Sequence, residues 1–139
     1  MIDAATLRSW IEALGYEATP EGSSTLRLHP RPAAGGAPAA GSGAEAFPPF
    51  FLQLSDNWVL LSMLPMLGPG SFRPDDLSRR LLAANRDMRL AKFALDKEGA
   101  VVLCAELPTE SLDASEVADA VQRMVQYARR FAAEFVRRK

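Results

Sequence analysis

Two stretches of alternating apolar residues, each folded back on itself by a short polar turn, restrict what this chain can become. In the first, residues 50–55 and 58–64 are separated only by Asp56-Asn57. Both turn residues tolerate positive φ, so the spacing predicts a tight two-residue hairpin. That turn sets Leu54 opposite Val59, Leu52 opposite Leu61 and Phe50 opposite Met63. Side chains alternate along a strand, so one face of the pair is wholly apolar and belongs to a core.

The second hairpin spans residues 88–95 and 100–107. A three-residue loop, Lys97-Glu98-Gly99, with Gly99 in the left-handed conformation, pairs Leu95 with Val101, Phe93 with Leu103 and Ala91 with Ala105. A four-residue loop would set Lys92 against Leu103 and sort the faces worse, so the shorter loop is preferred. The outer face then holds Leu90, Lys92, Ala94, Val102, Cys104 and Glu106, with Lys92 diagonal to Glu106.

Around these hairpins the periodicity is helical. Leu7, Trp10, Ile11 and Leu14 recur at helix spacing before Gly15, which predicts a first helix over residues 3–14. Leu26 and Leu28 alternate with Thr25, Arg27 and His29 as a short strand. Pro74 suits a first helical position, with Asp75 and Asp76 in the first turn where the helix dipole favours anions. Leu77, Leu81 and Ala84 form the stripe of that second helix, broadened by Leu82. A last helix is expected over residues 114–137, capped by Asp113 or Ser115. Its seam is Val117, Val121, Met124, Ala128, Phe131 and Phe135, which fits a helix lying on a sheet. Residues 31–46 are almost wholly Pro, Ala, Gly and Ser, and are expected to form a flexible loop. The expectation is therefore one α+β domain over residues 1–139 in the order α-β-β-β-α-β-β-α. Its largely antiparallel five-stranded sheet carries the helices mainly on one face.

Composition narrows the functions. A net charge of −1 is too small a basic field to hold phosphates, which argues against nucleic acid. The longest apolar run, residues 59–67, is broken by Ser62 and Pro65 and falls short of the roughly 20 residues that span a bilayer. Asp3, Arg8 and Glu12 interrupt any leader-like block, and a lone cysteine suits a reducing compartment, so a cytoplasmic protein is expected. One histidine, His29, and one cysteine, Cys104, cannot build a zinc cluster within the chain. No glycine-rich phosphate loop is present, and neither a cofactor nor a small-molecule substrate is indicated. The remaining acids, Asp75 with Asp76 and Glu106 beside Lys92, read as helix design and a surface ion pair. The unusual feature is apolar: with helices on one face, the other still offers Phe51, Trp58, Leu60, Leu90, Val102 and Cys104. An exposed patch of that kind marks a protein contact.

The words Leu81-Leu82-Ala83-Ala84-Asn85, Leu90-Ala91-Lys92-Phe93-Ala94-Leu95-Asp96, Gly99-Ala100-Val101-Val102-Leu103 and Ala105-Glu106-Leu107-Pro108 resemble the YbjN family, over about residues 77–135. Bacterial proteins of that family share the fold of type III secretion chaperones. The resemblance implies a five-stranded antiparallel sheet with three helices, usually dimeric, without enzymatic activity, under a loose label of sensory transduction regulator. In those chaperones dimers form largely through the second helix and the neighbouring strand, and clients wrap over apolar patches. Carried over, Leu77, Leu81, Ala84 and Leu90 are the dimer candidates. The 31–46 insertion departs from the compact pattern.

Three functions follow. A homodimeric, chaperone-like module would bind a protein client through Phe51, Trp58, Leu60 and Val102. A self-associating regulatory or structural protein would have no client. An enzyme would need a polar pocket at Asp75, Asp76 or Glu106.

Overall fold

The computed structural model describes residues 2–30, 48–67 and 74–131, so the 31–46 stretch lies outside the described residues. The elements are α1 (Ala4–Ala13), β1 (Tyr16–Pro20), β2 (Thr25–Pro30), β3 (Phe50–Leu54), β4 (Trp58–Leu67), α2 (Pro74–Asp87), β5 (Ala91–Leu95), β6 (Val101–Pro108) and α3 (Ala114–Phe131). The strands form one antiparallel sheet in the order β1-β2-β3-β4-β6-β5. The described sheet therefore has six strands, not the five expected. β1 escapes sequence patterning because Ala18 is its one buried residue. Pro20 closes it, which an edge strand tolerates because its outward side needs no amide donor.

Both predicted hairpin registers are present. Leu54, Leu52 and Phe50 face Val59, Leu61 and Met63, and the Ser55 amide donates to the Trp58 carbonyl across Asp56-Asn57 at 2.9 Å. Leu95, Phe93 and Ala91 face Val101, Leu103 and Ala105. Gly99 has φ +87°, the left-handed conformation its turn position demands. The Asp96 carboxylate fixes that loop by accepting from the Glu98 and Ala100 amides, both at 2.9 Å.

Helix ends follow from local chemistry. Asp3 caps α1 by accepting from the Thr6 amide at 2.8 Å. Asp113 and Glu116 form a reciprocal capping box at the start of α3. Those backbone hydrogen bonds, from Thr6 and Glu116 respectively, hold both aspartates below the ordinary carboxylate value of 3.8. The predicted stretch of the last helix beyond Phe131, Phe135 included, lies outside the described residues.

All three helices pack on one face of the sheet. Leu7 and Ile11 of α1, Leu77 and Leu81 of α2, and Val117, Val121 and Met124 of α3 share one core. A continuous inner row crosses five strands, Leu28, Phe50, Met63, Leu103 and Phe93. Phe93 meets Phe131 of α3 with ring centroids 5.0 Å apart. The α3 seam is thus spent on the sheet, as its narrow stripe predicted.

The α2–β5 connection departs from expectation. The strand begins at Ala91 rather than Met88, and Leu90 sits before it with φ +75°, so Leu90 is not a strand residue of the outer face. Three side chains brace this bend. Asn85 donates from Nδ2 to the Phe93 carbonyl at 3.1 Å and accepts the Phe93 amide at Oδ1 at 2.8 Å. The Tyr127 hydroxyl accepts from the Arg89 amide at 2.9 Å. Lys92 Nζ donates to the Asn85 and Met88 carbonyls, each at 2.8 Å. Lys92 thereby satisfies the carboxyl end of α2, where carbonyls lack helical partners, instead of pairing with Glu106.

Candidate functional site

With every described helix on the inner face, the outer face of the sheet is where exposed chemistry collects. Its rows follow from the registers. One runs through Thr19, Arg27, Phe51, Ser62, Cys104 and Lys92. The next holds Gln53, Leu60 and Glu106, and the row beyond it Trp58 and Pro108.

Three of the four predicted contact residues come together. Trp58 and Leu60 project from the same side of β4, and Phe51 is diagonal to Leu60 on β3. Trp58 is 48% exposed, while Phe51 and Leu60 are half-buried. Val102 is not part of that cluster. It lies six residues along β6 from Pro108, the partner of Trp58, a strand distance of about 20 Å.

Arg27 is a member of this face that sequence patterning missed. Its guanidinium lies over the Phe51 ring at 5.8 Å from the centroid, while Nη1 is 3.9 Å from Glu21. The contact depends on the β2–β3 register, and no turn chemistry in the 31–46 stretch specifies that register.

The dimer candidates are placed unevenly. Leu77 and Leu81 are buried in the chain's own core, and Ala84 is half-buried against it. Leu90 is 39% exposed. Two leucines not singled out for this role are more open: Leu82 of α2 at 70% and Leu95 of β5 at 53%. With Leu90, in the bend between them, they belong to the adjoining elements α2 and β5. Reading Leu82 as a broadening of the Leu77, Leu81 and Ala84 stripe gave no sign of this, and at 70% exposure Leu82 faces water.

The residues that could support catalysis are dispersed. Asp76 is exposed on α2, on the helical side of the sheet, and Glu106 is exposed on the outer face; the Asp75 side chain lies outside the described residues. Cys104 is half-buried. Burial, and then the Glu106 carboxylate, push its thiol above the ordinary value, the direction opposite to that of an activated thiolate. His29 is exposed at the end of β2 beside Glu17. Among the described residues no group of His, Cys, Asp and Glu is arranged to hold a metal ion. No described helix is long and apolar enough to cross a membrane. A groove of about 360 Å³ lies between α1 and the β1–β2 turn, lined by Arg8, Ser9, Ser24 and Leu26 among others. None of the predicted site residues lines it.

Comparison with protein families matches residues 48–137 to YbjN, described as "Putative bacterial sensory transduction regulator". No curated protein matches. Among solved structures, YbjN from E. coli is similar at 20% identity and TM-score 0.64, covering 93% of this chain and 90% of that one. A chain of the heterodimeric ExoU–SpcU complex from the type III secretion system of Pseudomonas aeruginosa is similar at 21% identity and TM-score 0.63, covering 91% and 95%. A chain of the HopA1–SchA chaperone–effector complex follows at 14% identity and TM-score 0.61, covering 90% and 88%. At these identities the likeness is one of fold.

Proposed function

The chain belongs to the YbjN family, and from that premise we propose that it is a protein-binding module, a homodimer that receives a protein client on the outer face of its sheet. The observation that carries this is Trp58, 48% exposed beside half-buried Leu60 and Phe51 on a face that no described helix covers. Tryptophan contributes large apolar area at low entropic cost and is enriched at contact hot spots. The fold it shares with a chain of a chaperone–effector complex supports the same reading. A module of this kind needs no reaction centre and works as a soluble protein of the cytoplasm.

A photo-crosslinking residue at position 58 tests the proposal in cells. The expected result is a discrete adduct with a second protein, absent when the probe stands at Gln126, exposed on α3. Adducts only with another copy of the chain would support the alternative, a self-associating regulatory protein without a client. No adduct of either kind would remove the outer face as a binding surface.

For the homodimer we propose the exposed leucines of the α2–β5 side, Leu82, Leu90 and Leu95, in place of Leu77 and Leu81, whose burial in the core leaves them nothing to offer a partner. Self-association would cover three apolar side chains that otherwise face water. Light scattering is expected to give twice 15.1 kDa for the wild type, and Leu82→Glu to give a folded monomer. A Leu82→Glu protein that stays dimeric would move the contact elsewhere.

A further inference from the structure

We propose that the Trp58 end of the outer face selects a cationic extended segment, a stretch of partner protein bearing Arg or Lys whose charge seats against the indole. This rests on the reading of the outer face as a client surface and adds the chemistry of the client.

The charge distribution carries the inference. Trp58 faces Pro108 and is diagonal to Glu106 on the outer side of β6. Asp56 lies in the adjoining turn. Glu110 follows directly, because the Thr109 amide donates to the Asn57 carbonyl at 3.0 Å and ties the two chain segments together. Residues 48–67 and 99–122 contain no Lys or Arg. Asp56, Glu106 and Glu110 make no ion pair among the described residues. The whole chain is near neutral at −1, so this end is an asymmetry within it, balanced by arginines such as Arg79, Arg86, Arg129 and Arg130 on the helical layer.

Carboxylates around an exposed indole favour one kind of ligand. They attract cations over a Debye length and repel acidic segments. The ring face of tryptophan is the aromatic surface most favourable to a guanidinium or ammonium group. The same sheet face already makes such a contact internally, Arg27 over Phe51 at 5.8 Å. No cation among the described residues does the same for Trp58. Half-buried Leu60 beside it offers the apolar contact that an alternating segment would use for its next side chain.

The test uses the full chain and three short unstructured peptides, alternating leucine with arginine, with serine or with glutamate. The indole N–H resonance of Trp58, assigned by its loss in Trp58→Phe, reports contact at the site. The arginine peptide is expected to shift this resonance, with affinity falling about ten-fold as salt rises from low to about 0.5 M. Glu106→Gln combined with Glu110→Gln is expected to weaken it about three- to ten-fold at low salt, since surface charge pairs contribute modestly each. Equal response to the serine or glutamate peptide, or an unchanged affinity in the double variant, overturns the cationic choice and leaves the client surface intact. A Trp58 resonance moved by no peptide, in a protein that still forms position-58 adducts, also overturns it. The absence of those adducts would instead remove the client surface itself.

Discussion

Leu103→Ala is expected to lower the unfolding free energy by about 2–5 kcal/mol, the range for truncating a fully buried leucine. Leu103 is wholly buried in β6, between Met63 of β4 and Phe93 of β5. It stands in the middle of the inner row that continues to Phe50 and Leu28, so its removal opens a void that neighbours on both sides line. Those neighbours are held by ladder hydrogen bonds and by α3, and they cannot collapse inward without moving the sheet. A domain typically has about 5–15 kcal/mol in hand, so this one truncation can take a large part of it. Chemical denaturation monitored by circular dichroism measures the change. A cost below about 1 kcal/mol would mean that the row relaxes and is not the tightly packed centre of the fold.

Asn85→Ala is expected to cost about 1–3 kcal/mol, because it strips two hydrogen bonds from the Phe93 backbone at once. β5 is an edge strand, and the Asn85 amide supplies to Phe93 the donor and acceptor that a further strand would otherwise offer. Removing it both loosens the α2–β5 bend and leaves a bare edge, the usual template for unwanted pairing between chains. Loss of stability accompanied by concentration-dependent aggregation is therefore the expected phenotype in thermal melts followed by light scattering. Asn85→Asp keeps the acceptor for the Phe93 amide but loses the donor and sets a carboxylate against the Phe93 carbonyl, so it should not rescue. Full stability in both variants would show that water replaces the amide without penalty.

What could be read from the sequence was whatever a turn or a stripe determines locally. Asp56-Asn57 and Lys97-Glu98-Gly99 each set the register of a whole hairpin, and every pair inferred from them is present. The α3 seam was legible because seven of its residues are buried and lie on one side. β1 was not, since a strand that buries only Ala18 leaves no alternation to detect. Leu82 and Leu81 are adjacent and equally apolar, so composition could not say which one turns inward; packing sends Leu81 to the core and Leu82 to water.

The candidate site was legible in part for the same reason. Trp58, Leu60 and Phe51 follow from one hairpin and are brought together. Val102 belongs to another hairpin, whose alignment with the first depends on the β4–β6 pairing that no turn connects. That pairing also carries a register shift between Met63 and Leu67, and Pro65, without an amide proton, falls inside it. Lys92 was assigned to Glu106 by sheet geometry alone, whereas its four-carbon stem reaches the end of a helix.

The strand order has a consequence in time as well as in space. β1 with β2, β3 with β4, and β5 with β6 are neighbours in sequence, and each pair can close over a short loop as an independent local event. Joining β4 to β6 is different, because α2 and β5 intervene and the ends must search a much longer path. β2 must likewise find β3 across residues 31–49, so two such joins unite the three hairpins, and the inner row is continuous only once both have formed. Folding of this chain is then the assembly of three quick hairpins gated by two slower encounters, the longer in sequence being the one where β6 finds β4.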